Sequence, residues 1–386
     1  MPIRTFSLWI AVGALLCCSS VPGADEGRLL LRKPQAWQVL QRQTAAQGSL
    51  HIEGTKRADE GIEWQLIGKP LEGLLNDDWS TLPLIAPMTN FSADVAVPAG
   101  GWYRLQVRAI RDGKTTAETT VDHFGIGEVF IVAGQSNSAN YGSEKQQPKS
   151  GMVASFDGKT WRVADDPQPG AGGTGGSFIP AFGDAMAERF HVPIGIVSIG
   201  VGSTSVREWL PKGEEVNRLT TTGRGLDEIS PGHWQATGKL FDKLTSRLEE
   251  LGPHGCRAVL WHQGESDAGQ ARGGAPVDRQ ISGDDYVRHM KTLVEASRRS
   301  AGWPVPWFTA QATYHSERDK SDDEFRAAQK SLWDSKLTLE GPDTDALGPE
   351  FRHGVHFNGR GLQEHGRLWA AKVGAWLTAQ LAGEER

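Results

Sequence analysis

Between Asp25 and about Gly125, hydrophobic residues alternate with polar ones. Leu50 and Ile52, then Ile62, Trp64 and Leu66, then Phe91, Ala93, Val95 and Val97, then Tyr103, Leu105, Val107 and Ala109 each fall on every second position. That period puts one face of a strand in a core and the other in water, so it predicts half-buried antiparallel strands. The turn signals A-D-E-G before Ile62, P-A-G-G before Trp102 and R-D-G-K after Ile110 separate them. About six short strands in roughly a hundred residues predict a small immunoglobulin-like β-sandwich over residues 25–125. No motif in it points to catalysis, which leaves a structural or substrate-positioning role.

After Gly125 the period changes. Val129 to Ala133 is an unbroken apolar run that stops at Gly134, and the polar cluster Q-S-N-S-A-N follows. An uninterrupted run of this length predicts a parallel strand covered on both faces, with the glycine letting the backbone turn sharply at its carboxyl end. Phe182, Met186 and Phe190, and likewise Leu240, Leu244 and Leu248, recur at helical spacing. Further apolar runs start at Pro193, Cys256 and Trp303, and a last helix is predicted from about Gly361 to Leu381. Strand and helix in alternation predict an α/β domain over 126–386, a parallel sheet with helices on both faces. The glycine-rich stretch around Gly172 lacks the Lys-Ser/Thr ending of a phosphate loop and reads as a flexible connection.

Composition narrows the picture. The chain has 386 residues, 38% hydrophobic and 23% charged, which suits two soluble domains. Its formal net charge is -6 and it has no Lys/Arg block, so the footprint of a nucleic-acid or anionic-membrane binder is missing. Residues 1–24 place Arg4 before an apolar stretch from Phe6 to Leu16 and then small residues. This reads as a secretory signal peptide too short to span a bilayer, cleaved after Gly23 or Ala24, with the protein secreted or periplasmic. Cleavage leaves Cys256 as the one remaining cysteine, a buried filler with no disulfide partner.

In a parallel α/β sheet, chemistry gathers where strands exit. The exits here carry Ser136 and Asn137, then Gly200 to Thr204, then His262 to Asp267, and last Arg352 to Asn358 before the final helix. Together they hold a serine, histidines, carboxylates, an amide and glycine N–H groups, the inventory of acyl transfer. Zinc is the competing use of His353, His356 and Glu265 or Asp267. The i, i+3 histidine spacing is not a metal signature, however, and that reading leaves Ser136 and Gly202 unexplained.

The blocks G-Q-S-N at Gly134, the glycine block ending in G-S-T, W-H-Q-G-E-S-D at Trp261 and G-V-H-F-N at Gly354 resemble those of the SGNH hydrolases. More narrowly, they are similar to the sialate O-acetylesterase-like branch, related to the acetyl xylan esterases of carbohydrate esterase family six. The resemblance runs from about Gly127 to the C-terminus. The N-terminal β domain is also similar to an accessory sandwich of some members. It implies a three-layer catalytic domain, no cofactor and no metal, and an acetylated carbohydrate substrate. Carried over by position, it implies Ser136 as nucleophile and His356 as general base. The implied oxyanion hole is the backbone N–H of Ser136, that of Gly202 and the side-chain amide of Gln263. Beyond the family pattern, Asn137, Arg207 and Trp209 are candidate substrate contacts, with Trp209 offering a ring on which a sugar stacks.

One position departs. The family usually carries an Asp three residues before the catalytic His, where this chain has His353. Imidazole does not replace the carboxylate that fixes the base's tautomer, and neutralising that acid in a serine triad costs ~10^4 in rate. Glu265, which some relatives use, is the first candidate acid, Asp267 the second and Asp345 the third. If no acid serves, the alternative is a catalytically impaired glycan-binding protein on the same scaffold. A lipid esterase fits less well, since no long apolar lid segment is seen.

Overall fold

The computed structural model of the chain describes residues 28–76, 78–84, 88–220, 222–272 and 281–384. The signal-peptide reading of residues 1–24 lies outside them. The first elements are β1 (Leu30–Lys33), β2 (Val39–Gln41), β3 (Gln47–Thr55), β4 (Gly61–Pro70), β5 (Ser80–Thr81), β6 (Asn90–Pro98), β7 (Gly100–Arg111) and β8 (Lys114–Gly134). β1, β3 and β6 form one antiparallel sheet, and β5, β4, β7 and the first part of β8 form another. Leu50, Ile52, Phe91 and Val97 of the first bury into the same core as Ile62, Leu66, Leu105 and Val107 of the second. The period-two pattern sets up this inward alternation.

β8 is the spine of the molecule. Over Lys114–Phe124 it pairs antiparallel with β7, over Gly125–Gly127 parallel with β2, and from Glu128 it enters a parallel sheet. The boundary expected near residue 125 therefore falls inside one 21-residue strand rather than in a linker. Within the parallel sheet Phe130 and Val132 bury on one side, and Val129, Ile131 and Ala133 on the other. Cover on both faces is why this stretch is uniformly apolar.

The chain continues through β9 (Val153–Phe156), β10 (Trp161–Val163), α1 (Ile179–Phe190), β11 (Ile194–Ser198) and a small sheet of β12 (Glu215–Val216), β13 (Leu226–Ser230) and β14 (His233–Ala236). Next come α2 (Lys239–Leu251), β15 (Ala258–His262), α3 (Glu265–Arg272), α4 (Gly283–Ala301), β16 (Trp307–Gln311), α5 (Asp323–Asp334) and β17 (Leu339–Asp343). The hairpin β18 (Arg352–His353) and β19 (His356–Phe357) leads into α6 (Gly359–Glu384). The parallel strands lie in the order β9-β11-β8-β15-β16-β17, with β10 antiparallel on the edge. α1 and α6 share the core on one face of the sheet, while α2, α4 and α5 share that on the other. From β8 the chain builds outward on one side, returns, and then builds β15 to β17 on the other. That reversal opens a crevice at the carboxyl end of β8.

The glycine-rich stretch is not a loose connection. Asn140 donates its N–H to Gly172 O at 2.9 Å, Gly175 donates to Asn140 O at 2.8 Å, and Gly172 donates to Gly200 O at 2.8 Å. It thereby cross-links the turn after β8 to the exit of β11. Cys256 is buried just before β15, where burial pushes its thiol up to about 12, as suits a filler.

Candidate active site

β8 ends at Gly134, whose φ of +124° lies in the region that favours glycine. Its Cα faces the His262 carbonyl so closely that a Cβ would overlap it. The chain then enters a single 3-10 turn, Ser136–Ser138, fastened by Ser138 Oγ donating to Gln135 O at 2.7 Å. Gln135 Oε1 accepts from the backbone N–H of Ser266 at 2.9 Å, joining the turn to the start of α3. Ser136 is 4% exposed. Among the described residues, neither its backbone N–H nor that of Gly202 donates a hydrogen bond. Gly202 lies at the exit of β11 against Tyr141, whose ring a Cβ would strike. The same ring also meets His356, stacked at 5.5 Å between centroids and 29° between planes. Tyr141 thus packs against both Gly202 and His356, a position that sequence reasoning missed.

His356 sits on the β18–β19 hairpin, with His353 directly opposite it. Gly354, at φ +64°, makes the two-residue turn. His353 is exposed and His356 half-buried. Arg352 holds the hairpin from below. Its Nε donates to Leu347 O, its Nη1 to Val355 O and its Nη2 to Thr344 O, each at 2.7 Å. Its guanidinium lies 4.2 Å from the Tyr314 ring centre and 4.0 Å from that of Phe357. The segment after β8 also holds the hairpin: Asn137 Nδ2 donates to Val355 O at 3.2 Å, and Ser143 N–H to Phe357 O at 3.1 Å. Burial, and then the nearby Arg352 charge, hold the His356 imidazole below its ordinary value.

The candidate acids lie elsewhere. Glu265, at the start of α3, is buried; its Oε1 accepts from Asn137 Nδ2 at 2.8 Å and lies 3.6 Å from His262 Nδ1. Among the described residues its Oε2 has no hydrogen-bond partner, and burial pushes the carboxyl up to about 7. Among the described residues no hydrogen bond or ion pair joins Glu265 to His356, because the carboxyl turns under the hairpin to Asn137 instead. Asp267 is consumed by Ser205 Oγ at 2.6 Å, Val206 N–H at 2.9 Å and Gln263 Nε2 at 2.7 Å. Asp345 is consumed by the N–H groups of Thr313 and Tyr314 and by Arg326 Nη1. Neither contacts His356. His262, driven down to about 3 by burial, meets Thr344 Oγ1 at 3.0 Å and steadies its loop.

Several expectations are corrected. Both N–H groups of the Gln263 amide are committed, to Thr204 O at 3.1 Å and to Asp267 Oδ2, so none is left for an oxyanion. Asn137 Nδ2 donates to Glu265 Oε1 and Val355 O, tying the Ser136 turn to α3 and the hairpin. Arg207 is 1% exposed, with Nε donating to Ser205 Oγ at 2.9 Å and Nη1 to Arg218 O at 2.9 Å. Trp209 is fully buried, with Nε1 donating to Thr204 Oγ1 at 3.0 Å and its ring edge-on to Trp261 at 5.3 Å. The 3-10 turn Val206–Trp209 folds inward, so these side chains build the loop beyond Gly202 and offer nothing to a sugar. The arginine that does reach Gly202 is Arg224, from the loop before β13, donating to its carbonyl at 2.8 Å. Among the described residues no group of three or more His, Cys, Asp and Glu side chains is arranged to hold a metal, and no helix is long and apolar enough to cross a membrane.

Comparison with known proteins follows the same part of the chain. Residues 126–374, more than half of its length, match the family model described as carbohydrate esterase, sialic acid-specific acetylesterase. A search of curated proteins found no match. Among solved structures, a carbohydrate acetylesterase from Xanthomonas citri is similar at 17% identity and a TM-score of 0.53, over 89% of this chain and 74% of that one. A protein from Arabidopsis thaliana aligns at 20% identity and a TM-score of 0.44, over 65% of this chain and 98% of its own. An alpha/beta hydrolase from the metagenome of Lake Arreo, Spain, aligns at 14% identity and a TM-score of 0.39, over 64% and 95%.

Proposed function

The chain belongs to the carbohydrate-esterase family of sialic acid-specific acetylesterases, and from that premise we propose that it removes O-acetyl groups from sialic acid or xylan-type glycans through an acetyl-enzyme on Ser136. Ser136 Oγ bonds to the acetyl carbonyl carbon while the His356 imidazole takes its proton. The tetrahedral oxyanion rests on the N–H groups of Ser136 and Gly202. As it collapses, the C–O bond to the sugar breaks and His356 returns the proton to the departing hydroxyl. Water repeats the sequence on the acetyl-enzyme and releases acetate. The observation that carries this reading is the pair of uncommitted N–H groups beside a serine at the end of a buried strand, next to a turn bonded to the hairpin of His356. We also place the protein outside the cytoplasm, secreted or periplasmic, on the signal-peptide pattern of its first residues.

The test is acetate release from 4-nitrophenyl acetate and from acetylated xylan and sialic acid, with wild type beside Ser136→Ala. The variant is expected to keep its fold and lose at least ~10^3 in rate; retained turnover overturns the assignment. Among the described residues no carboxylate is hydrogen-bonded to or ion-paired with His356, which favours one second reading, a glycan-binding protein with impaired turnover. It is supported if the wild type binds these glycans and releases no acetate.

A further inference from the structure

We propose that Arg352 is the positioning residue for His356, doing through the backbone what a carboxylate does in a Ser-His-Asp triad. The proposal rests on the reading of Ser136 and His356 as nucleophile and base. A base in acyl transfer needs its ring held within reach of the nucleophile through a full cycle of protonation, and a buried carboxylate bonded to the imidazole is the common device. Here that carboxylate is replaced by exposed His353, and among the described residues no hydrogen bond or ion pair joins Glu265, Asp267 or Asp345 to His356. What fixes the ring is therefore the chain that carries it.

The residue before His356 supplies the grip. Val355 O accepts two donors, Arg352 Nη1 at 2.7 Å and Asn137 Nδ2 at 3.2 Å, so both lone pairs of one carbonyl are used. One donor is fixed to the nucleophile's turn. The other belongs to a planar fork whose remaining arms are bonded to Thr344 O and Leu347 O, and whose faces are covered by Tyr314 and Phe357. Such a fork has no free rotation, and 5% exposure leaves it no solvent to turn toward. The hairpin register then sets His356 against Tyr141, whose ring packs on Gly202. Lysine in the same place keeps the charge but offers no planar fork for three carbonyls.

Arg352 also brings charge. The charged and titratable groups around His356 are Tyr141 on its ring face, His353 across the hairpin, Arg352 beneath it and Glu265 behind Asn137. Of these, Arg352 is the cation that disfavours imidazolium, which keeps His356 a neutral base to lower pH.

Arg352→Lys, Arg352→Met and Asn137→Ala are compared with wild type on 4-nitrophenyl acetate from pH 5 to 9, with circular dichroism confirming the fold. All three are expected to lower kcat at least tenfold with KM within threefold, since the acyl site is intact and only the base is loosened. The Met variant alone is expected to move the acid limb of kcat/KM to higher pH, because removing the cation raises the imidazole's pKa. A kcat within threefold of wild type in the folded Arg352 variants overturns the proposal. So does a Met variant whose acid limb stays where the wild type's is. Should neither arginine variant fold, Asn137→Ala with undiminished kcat also overturns it. A wild type that releases no acetate overturns the esterase reading first, and this inference with it.

Discussion

At the scale of single residues, the site divides into groups that face the crevice and groups that build it. Among the described residues the N–H groups of Ser136 and Gly202 donate no hydrogen bond, and Tyr141 packs against both Gly202 and His356. Glu265 belongs beneath them: its environment penalises charge, lifting its carboxyl from an ordinary 4.5 to about 7. Because the folded value is raised, its contribution to stability is fully present below pH 4.5 and is lost as pH rises to about 7. Glu265→Gln is therefore expected to narrow any deficit in Tm, or to exceed wild type, progressively as pH goes from 4.5 to 7. Thermal melts of both proteins across that window test it; a Tm difference independent of pH overturns it. Ser136 and His356 stood out as candidates because each sits in a short block of unusual composition directly after a strand or before a helix. Arg207 and Trp209 misled because closeness in sequence to Gly202 does not say which way a 3-10 turn faces. Tyr141 and Arg352 were missed because a tyrosine and an arginine beside a motif carry no local signal; only their contacts define them.

At the scale of elements, many of the strands and helices were readable from their period. The inward faces of β3, β4, β6 and β7, the two-sided burial of β8 and the spans of α1, α2 and α6 follow from the spacing of apolar residues. α4 was overlooked although Tyr286, Met290, Leu293 and Val294 mark its buried face and Ser282 with Asp285 makes a capping box. β8 asks most of its end residue, since Gly134 must hold a positive φ and meet the His262 carbonyl. Gly134→Ala is expected to cost about 1–3 kcal/mol from backbone strain alone, more from the backbone overlap, and to abolish acetate release by displacing the Ser136 turn. Denaturant unfolding beside an activity assay checks this; an alanine variant of wild-type stability and rate contradicts the role given to the glycine.

At the scale of the whole molecule, the antiparallel and parallel sheets are joined by a charge cluster as well as by β8. Glu128, fully buried where β8 enters the parallel sheet, accepts from Arg42 Nε at 2.6 Å, Arg257 Nε at 2.7 Å and Gln41 Nε2 at 2.8 Å. Arg42 and Gln41 come from the segment around β2, and Arg257 from the start of β15. Glu128→Ala leaves a buried Arg42 without its counter-ion and is expected to cost about 3–5 kcal/mol, read as a lower denaturant midpoint; a change below ~1 kcal/mol assigns the cluster no more than a surface pair's weight. The sequence by itself determined the mixed α/β class and singled out the serine and the histidine as candidates, because hydrophobic period and strand-exit composition are local properties of the chain. Only the tertiary structure decided which polar side chains remain free for chemistry. A buried amide or carboxylate takes whatever partners packing brings within hydrogen-bonding distance, and Thr204 beside Gln263, Ser205 beside Asp267 and Asn137 beside Glu265 come from segments far apart in the chain.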